Sequence, residues 1–502
     1  MSDLHLFCPR ESCTPHSALL LWDLPGDTVI VRVFLDDIPV ASSIQGGCTL
    51  TGLRPETVYH ARIEVTLGDQ SVHCSEPCIF TTAALGKQLD ITAFGACGDG
   101  TTNNTAAIQN AIDACPVNGV VVVPAGCFVT GALFLHSHMT LHLCEGARLL
   151  GSTDLADYPV MTYRFEGREE PCFAGLINTP EGNHTDISIT GSGTIDGNGT
   201  SLFRQEIPYA GTVSRGRTVC LRNTERVYIQ GVTIRHAPAW CTHLIYCDEI
   251  TLNGVTIHTR RDETGAIYEG IFNGDGFDPD SCTQVRVFNC AIASQDDCIA
   301  VKSGRDAEGR SIGRPACDIR ITDCHFYSGF GIALGSEMSG GVRNVVIRDC
   351  DFRNAYSVLS IKTPRGRGSV VENILCERLN LENFDRSHTD CKWFRGALYI
   401  DMYYGTDEVD LTTPQPVTDA TPVIRNVTVR NVRLHTLTGN CIYLCGLPER
   451  PLENILLENI AAVGLYGMKA YLTTGLTLKN TQIIAMQGET LDIRDTQMKI
   501  GR

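Results

Sequence analysis

The stretch ERVYIQGVTI, residues 225–234, carries the pattern that decides the fold. Alternating aliphatic side chains lead into a tight turn at Gly, Asn or Asp, and an apolar pair follows the turn. Each copy of the pattern therefore predicts a strand, a bend and a second strand. Seven further stretches repeat it: residues 248–257, 283–292, 317–326, 343–352, 372–381, 425–434 and 453–462.

The spacing of these repeats predicts how they are assembled. Their first residues lie 23, 35, 34, 26, 29, 53 and 28 positions apart, so the internal pattern is kept while particular loops are lengthened. A variable period around a fixed unit is typical of a solenoid with its insertions on a functional face. In a parallel β-helix, equivalent positions on successive coils lie about 4.8 Å apart. We therefore predict an all-β parallel solenoid in which Asp275 lies beside Asp296 and Asp297.

Composition restricts the possible partners and the cellular location. The chain has 502 residues, 43% of them hydrophobic, and a formal net charge of −16. This charge disfavours nucleic acid and anionic membrane surfaces as partners, but a local basic pocket can still bind a small anion. The first residues lack a basic segment followed by an apolar one, and no run of about 18 apolar residues is present. We expect a cytoplasmic protein, with a secreted protein trimmed of its signal as the alternative.

Cysteine usage favours free thiols over disulfides or a metal site. Cys290, Cys324 and Cys350 occupy the eighth position of their repeats, where other copies carry Val, Leu or Ile. We interpret them as small, inward-facing hydrophobic residues. The total of 23 cysteines is odd, and the paired spacings typical of zinc sites are missing. We therefore predict no structural metal and no cofactor.

The first 85 residues differ from the remainder. Residues 28–35 and 61–65 form short alternating strands, and Leu53, Pro55 and Tyr59 mark a corner as in the fibronectin type III sandwich, which this segment resembles. A spacer or a lid is its simplest role. Residues 90–502 form the solenoid, and the amphipathic segment 104–115, with Asn104 or Thr105 as its N-cap, is predicted to be a helix that caps the first coil.

Two motifs carry a resemblance to a family. Residues 273–278 read NGDGFD and residues 294–298 read SQDDC, with Asp275 and Asp296 separated by 21 positions. Both motifs, and the spacing between them, resemble the polygalacturonase family, glycoside hydrolase family 28, although Gly274 replaces the family's Thr. The resemblance extends over roughly residues 90–465 and implies a right-handed parallel β-helix.

The chemistry of glycoside hydrolysis explains why carboxyl groups are needed there. One acid protonates the leaving oxygen while a base activates water, and in inverting enzymes the two carboxyl groups stand about 6.5–9.5 Å apart. Crowded carboxylates also favour keeping one of them protonated. By family likeness Asp296 is the general acid, and Asp275 and Asp297 position and deprotonate the water. The alternative is that these aspartates only cap turns.

Further residues are candidates for binding substrate. The resemblance implies that Lys362 holds the carboxylate of a galacturonate, whereas the family's supporting His and Arg are replaced by Phe330 and Ser360. Basic side chains in nearby loops are candidates to replace the missing guanidinium, and polar or aromatic ones to contact sugar hydroxyls or a sugar face. These candidates are Arg365, Arg367, Arg343, Glu337, Asn273 and Tyr403.

The sequence therefore predicts an inverting, exo-acting hydrolase of α-linked galacturonic acid in pectic oligosaccharides. Long insertions after Lys302 and between residues 381 and 425 are expected to block one end of the groove. Hydrolysis of rhamnogalacturonan or of an α-L-rhamnoside by the same chemistry is the nearest alternative, because the family's His and Arg are lost. A non-catalytic carbohydrate-binding solenoid and a pectate lyase are the others. The oligomeric state is left open.

Overall fold

The structure is a computed structural model and describes residues 4–200, 213–262, 264–384 and 392–501. Its amino-terminal part is a small domain of two antiparallel sheets, in the strand orders β1-β2-β5 and β4-β3-β6-β7, with β8 paired to β6. The strands are β1 (Leu6–Phe7), β2 (Ser17–Trp22), β3 (Thr28–Leu35), β4 (Ile38–Ser43), β5 (Gly47–Thr51), β6 (Val58–Leu67), β7 (Val72–Cys74) and β8 (Cys78–Thr81). Apolar side chains of both sheets meet in one core.

The rest of the described chain winds into coils whose strands stack in three parallel ladders. The first ladder contains β9 (Gln88–Asp90), β11 (Gly119–Val123), β14 (Met139–Leu143), β19 (His184–Gly191), β22 (Thr224–Gln230), β25 (Asp248–Asn253), β28 (Thr283–Phe288), β31 (Ala316–Thr322), β40 (Thr473–Lys479) and β43 (Gln497–Gly501). The second contains β10 (Asp99–Asn103), β12 (Gly126–Thr130), β15 (Ala147–Gly151), β20 (Thr194–Asp196), β23 (Thr233–Arg235), β26 (Thr256–His258), β29 (Ala291–Ala293), β32 (His325–Ser328) and β41 (Gln482–Ala485).

The third ladder contains β13 (Leu133–Phe134), β18 (Ile177–Asn178), β21 (Val219–Arg222), β24 (Thr242–Ile245), β27 (Phe277–Asp280), β30 (Ile299–Val301), β33 (Ile332–Gly335), β35 (Leu359–Lys362), β37 (Gly396–Asp401) and β42 (Leu491–Arg494). Longer strands pass through a corner and join more than one ladder: β34 (Val342–Arg353), β36 (Val370–Asn383), β38 (Val423–Cys445) and β39 (Leu452–Tyr471). A separate antiparallel hairpin, β16 (Val160–Phe165) and β17 (Arg168–Phe173), projects between β15 and β18.

Register explains the burial of the repeat. Val227, Ile250, Val285 and Ile319 pair in turn along the first ladder, and all are fully buried. Cys290, Cys324 and Cys350 likewise lie in the interior of the coil. Stacking like positions on like positions lets a long chain bury one continuous apolar column. The predicted fold, a right-handed parallel β-helix preceded by a small β domain, is confirmed.

Helices are few and short in the described residues. Helix α1 (Thr105–Asp113) covers the first coil with Ile108, Ala111 and Ile112, as predicted. Asn104 is the N-cap residue, as predicted, but its side chain makes no capping bond, and Oδ1 of Asn103 accepts a hydrogen bond from the Thr105 amide instead. Helix α2 (Asp306–Ile312) lies in the insertion after Lys302. Three 3₁₀ helices are Arg10–Ser12, Ile91–Phe94 and Leu155–Asp157.

The amino-terminal domain packs on the outer face of the first ladder. Phe288 of β28 packs with Leu19 and Leu21 of β2, and Asp23 lies 2.7 Å from the Arg348 guanidinium. The catalytic candidates lie in the turns between the second and third ladders, away from this domain. A spacer or docking role therefore fits these contacts, whereas a lid over the aspartates does not. Among the described residues, no helix has both the length and the apolarity needed to span a membrane.

Candidate active site

The turn from the second ladder to the third brings the predicted aspartates together. Asp275 immediately precedes β27, and Asp296 with Asp297 links β29 to β30 on the next coil. The amide of Gly276 donates to the Asp297 carbonyl at 2.9 Å, so the two turns are in register. The Asp297 amide donates to Oδ1 of Asp296, also at 2.9 Å. Three carboxyl groups from two successive coils therefore lie at the same corner of the solenoid.

Polar side chains fix the two turns relative to each other. The amide of Gly274 donates to Oε1 of Gln295 at 3.0 Å, and the hydroxyl of Thr259 donates to the Gly274 carbonyl and accepts from the Gln295 amide. A Cβ atom at position 274 would lie 2.8 Å from the Ile271 side chain. Close packing therefore explains why this chain carries Gly where the family pattern has Thr.

Lys302, at the end of β30, contacts the candidate catalytic group, although the sequence analysis did not place it among the site residues. Its Nζ lies 3.4 Å from Asp275, 3.4 Å from Asp278 and 3.5 Å from Glu337, and 4.4 Å from the ring centre of Trp240. One buried ammonium thus bridges three carboxyl groups. The strand register could have indicated this position. Lys302 lies opposite Asp280 in the third ladder, and Lys362 lies opposite Gly335 in the same ladder.

Burial and neighbouring charges shift the pKa values of Asp275, Asp278 and Asp296. Burial raises the pKa of Asp296 to about 6, and the charge of Asp297 adds to the rise while Lys362 and Lys302 oppose it. Burial, reinforced by Asp278, raises the pKa of Asp275 well above its usual value. Burial also raises the pKa of Asp278 to about 7. Burial therefore favours the protonated form of each of these groups, and Asp296 is suited to donate a proton.

Lys362, at the end of β35, contacts a catalytic candidate directly. Its Nζ lies 2.8 Å from both carboxylate oxygens of Asp297, and 5.3 Å from the ring centre of Tyr404. Burial disfavours the charged ammonium, but Asp297 together with Tyr399, Tyr404 and Asp296 outweighs it and holds the pKa of Lys362 well above its usual value. Without substrate, Lys362 therefore compensates the charge of Asp297, a contact that the sequence analysis did not anticipate.

The predicted arginines and Glu337 are placed differently from one another. Arg367 donates to the Ser336 carbonyl at 2.7 Å and lies 3.9 Å from Glu337. Burial opposes ionisation of Glu337, but Lys302 and Arg367 together lower its pKa to about 2. Arg365 forms a two-pronged ion pair with Glu449, at 2.7 and 2.9 Å. The exposed Arg343 lies on the first ladder, 3.4 Å from Glu372, and therefore does not join the groups around the aspartates.

Asn273 and Tyr403 hold loops in this structure. Oδ1 of Asn273 accepts a hydrogen bond from Arg215 at 2.6 Å. The buried Tyr403 hydroxyl donates to the Asp410 carbonyl, and the Arg365 guanidinium lies 5.1 Å from its ring centre. Both residues are thus committed to protein contacts, so their predicted contact with sugar stays a prediction.

The two residues that depart from the family pattern, Phe330 and Ser360, pack against neighbouring side chains or lie buried. Phe330 lies in an aromatic group with Tyr356 and Phe394, at ring-centre distances of 5.2 and 6.1 Å. Ser360 is fully buried and pairs with Tyr399 in the register of β35 and β37. An apolar aromatic side chain and a small hydroxyl cannot supply the missing imidazole and guanidinium. Lys302 and Lys362 are the ammonium groups within contact of the aspartates in the described chain.

The hairpin β16–β17 forms a wall beside these carboxyl groups. The amide of Arg305 donates to the Gly167 carbonyl at 3.0 Å, and a Cβ at Gly167, whose φ is 79°, would lie 2.8 Å from Glu337. The rings of Phe165 and Trp240 are in contact, with their centres 4.8 Å apart and their planes tilted by 36°. The hairpin therefore packs against the insertion after Lys302 and against Glu337, next to the carboxyl groups.

The hairpin is anchored by a fully buried ion pair. Nη1 of Arg164 lies 2.7 Å from Asp280, and neither side chain is exposed. Nε2 of His243 lies 3.4 Å from the other Asp280 oxygen. Burial opposes ionisation of Asp280, but Arg164 and His243 together lower its pKa. Asp280 therefore has a structural role.

Replacing Arg164 by methionine is expected to lower the free energy of unfolding by about 3–5 kcal/mol, because it leaves Asp280 buried without its guanidinium partner. Urea unfolding followed by circular dichroism measures the change. Arg168→Met is the matched control, since Arg168 lies on the same hairpin with its side chain 56% exposed, and it should change stability by less than about 0.5 kcal/mol. Equal stability of the two variants would contradict the anchoring role.

The pKa of Asp296 predicts a pH dependence. A general acid must be protonated before turnover, and the fraction of protonated Asp296 falls as pH rises through its pKa of about 6. We therefore expect kcat/KM to decline on the alkaline side of about pH 6, and a profile measured between about pH 4 and 8 tests this. A rate that stays level up to about pH 8 would remove Asp296 as the acid.

A carboxyl group with a raised pKa beside a lysine-paired carboxylate is the arrangement that carboxylate-dependent glycoside hydrolases use. Among the residues described, no group of three or more His, Cys, Asp or Glu side chains is arranged to hold a metal ion. The family model for glycosyl hydrolases family 28 matches residues 174–491. A second model, rhamnogalacturonase A/epimerase, pectate lyase-like, matches residues 88–142. This chain belongs to glycosyl hydrolase family 28.

Individual relatives agree with this assignment. A probable polygalacturonase of Vitis vinifera is 33% identical over 382 residues, covering 73% of this chain and 72% of the relative. An exo-poly-alpha-D-galacturonosidase of Dickeya chrysanthemi is 28% identical and covers 86% of this chain and 81% of its own. The exopolygalacturonase of Thermotoga maritima superposes with a TM-score of 0.62 at 26% identity, covering 82% of this chain and 91% of that one. The family 28 exopolygalacturonase of Yersinia enterocolitica shares the fold over 100% of this chain and 99% of its own, with a TM-score of 0.79 at 20% identity.

Proposed function

We propose that this chain is an exo-acting hydrolase that removes galacturonic acid from one end of pectic oligosaccharides, with inversion at the anomeric carbon. The observation that carries the proposal is the carboxyl cluster: Asp296 holds a proton near pH 6, while Asp297 is paired with an ammonium. Asp296 protonates the glycosidic oxygen, and Asp297 activates the water that attacks from the other face of the sugar. Asp275, held by Lys302, orients that water.

The charge of the site supports an anionic substrate. An ammonium has three N–H donors, so Lys362 can hold Asp297 and a galacturonate carboxylate at the same time. Arg367, beside Glu337, is a second cation on the same side of the groove. The names of the Dickeya and Thermotoga relatives, an exo-poly-alpha-D-galacturonosidase and an exopolygalacturonase, point to the same substrate.

The wall supports exo action. Hairpin β16–β17 and the segment that begins at Arg305 meet beside the carboxyl groups, through the Arg305 amide and the Gly167 carbonyl. A polymer passing through the site would have to displace these contacts. The terminal sugar therefore occupies the closed side, and the rest of the oligosaccharide extends over the later coils.

Product analysis tests this proposal. Defined oligogalacturonides should release galacturonic acid as the first product, in the β configuration before mutarotation. A series of intermediate oligomers at early times would contradict exo action, and a product of retained α configuration would contradict inversion. Asp296→Asn protein is the blank for contaminating activity.

A second candidate is a hydrolase of rhamnogalacturonan, or of an α-L-rhamnoside, with the same chemistry. Phe330 and Ser360 favour it, because they alter the surroundings of the acid relative to the family pattern. Release of rhamnose, or of rhamnogalacturonan dimers, in the same assay would select this candidate over the first. A cytoplasmic location stays a prediction, as does the absence of nucleic-acid and membrane partners.

A further inference from the structure

Two thiols of the amino-terminal domain lie in contact. The sulfurs of Cys8 and Cys13 are 3.4 Å apart, and both residues lie in the loop between β1 and β2. The loop contains Pro9 and the 3₁₀ helix Arg10–Ser12, which draws its ends together through a hydrogen bond from the Ser12 amide to the Pro9 carbonyl. Both thiols are partly exposed, whereas Cys290 and Cys324 of the solenoid are fully enclosed. Reagents in solution can therefore reach the first pair.

The same loop docks the domain on the solenoid. The carboxyl group of Glu11 accepts a hydrogen bond from Thr251 at 2.6 Å and lies 3.7 Å from Arg286. Asn253, on the same strand as Thr251, donates to Thr49 and to Tyr228, at 3.0 and 3.1 Å. A chemical change that fixes the ends of this loop therefore acts on the contact between the two domains.

We propose that Cys8 and Cys13 are a redox modification site, at which a reversible disulfide closes the docking loop. A disulfide requires sulfurs about 2.05 Å apart and Cβ atoms about 3.5–4.5 Å apart. Sulfurs already in contact reach this distance through small side-chain rotations. The oxidant is a low-molecular-weight disulfide, and the site is independent of the glycosidase chemistry.

The electron and proton balance is that of thiol–disulfide exchange. The Cys13 thiolate attacks one sulfur of the small disulfide, forms a mixed disulfide and releases one thiolate. Cys8 then loses its proton, attacks the Cys13 sulfur and expels the second thiolate. Two protein thiols are oxidised to one disulfide, and the small disulfide is reduced to two thiols. The hydrogen bond from Cys8 lowers the pKa of Cys13 against the effect of burial, which favours Cys13 as the first nucleophile.

Closing this ring restricts the segment that carries Glu11. A cross-link removes conformations from the open and unfolded loop more than from the docked one. The oxidised protein should therefore hold its amino-terminal domain on the first ladder more firmly than the reduced protein. The catalytic cluster lies in the turns between the second and third ladders, so formation of the disulfide should not alter it.

The test treats the full-length protein with oxidised glutathione, traps free thiols with N-ethylmaleimide and maps the peptides by mass spectrometry. We expect a peptide with Cys8 linked to Cys13 that regains two alkylation sites after reduction with dithiothreitol. Cys78→Ser is the matched control, because Cys78 belongs to the same domain core and its loss should leave the link in place. Cys13→Ser should abolish it. Separate glutathione adducts on Cys8 and Cys13, or a bridge from either to Cys78, would overturn the proposal.

A second measurement tests the consequence for docking. Hydrogen exchange of the amides in residues 10–12 should be slower in oxidised than in reduced protein, and Cys78→Ser should show the same difference. Cys13→Ser should exchange at the reduced rate under both conditions. Equal exchange in oxidised and reduced wild type, with the disulfide present, would overturn the link between oxidation and docking. Activity on oligogalacturonides is not used, so failure here leaves the proposed function untouched.

Discussion

Replacing Asp296 by asparagine should lower kcat by about 10²–10⁴-fold while leaving the fold intact. The amide cannot deliver a proton to the glycosidic oxygen. It keeps an oxygen that can accept the hydrogen bond now donated by the Asp297 amide at 2.9 Å. Initial rates of reducing-sugar release at about pH 5, below the pKa of Asp296, give the largest contrast with wild type.

The control for this variant is another buried aspartate with a raised pKa. Burial raises the pKa of Asp323 to about 7, and its carboxylate accepts a hydrogen bond from the Gly46 amide at 3.0 Å in the domain interface. Asp323→Asn should keep wild-type kcat, because it lies on the docking face. Near-wild-type turnover by Asp296→Asn would mean that another group supplies the proton, and would revive the interpretation of these aspartates as turn caps.

The coil could be predicted from the sequence because its determinants are local and repeated. Val227, Ile250 and Val285 occupy the same place in their repeats, so the position of each predicts the others, and their fixed register brings Asp275 to Asp297. The hairpin β16–β17 lies outside any repeat. Its position depends on the pair between Arg164 and Asp280, which are 116 residues apart. No short-range pattern contains that contact.

The ionic partners in the site were predicted less well, for a related reason. The resemblance implied that Lys362 binds substrate, and the structure shows that without substrate it holds Asp297. Lys302 was not assigned a role because its carboxyl partners lie on two other coils, Asp275 and Asp278 on one and Glu337 on the other. Sequence patterns indicate which face a charged side chain lies on. The choice among several nearby opposite charges depends on distances and burial that only the folded chain sets.

Replacing Lys302 by methionine should lower kcat/KM by roughly 10²-fold, the scale expected when reacting groups shift by about 1 Å. Asp275, Asp278 and Glu337 would lose the ammonium that now lies 3.4–3.5 Å from each of them. Lys302 also lowers the pKa of Asp296. Its loss should therefore raise that pKa and move the alkaline limb of the pH profile to higher pH, while the maximal rate falls.

The shift of the pH profile distinguishes this role of Lys302 from a purely structural one. A variant that is only less folded would lose rate equally at all pH values, whereas the loss of a positive charge beside the acid displaces the alkaline limb. Lys302→Arg keeps the charge and should restore the limb to its wild-type position even if the longer side chain lowers kcat. Lys392→Met is the matched control, since Lys392 is 38% exposed and lies 3.7 Å from Asp407. A Lys302→Met profile that keeps the wild-type limb would show that Lys302 does not set the protonation of the acid.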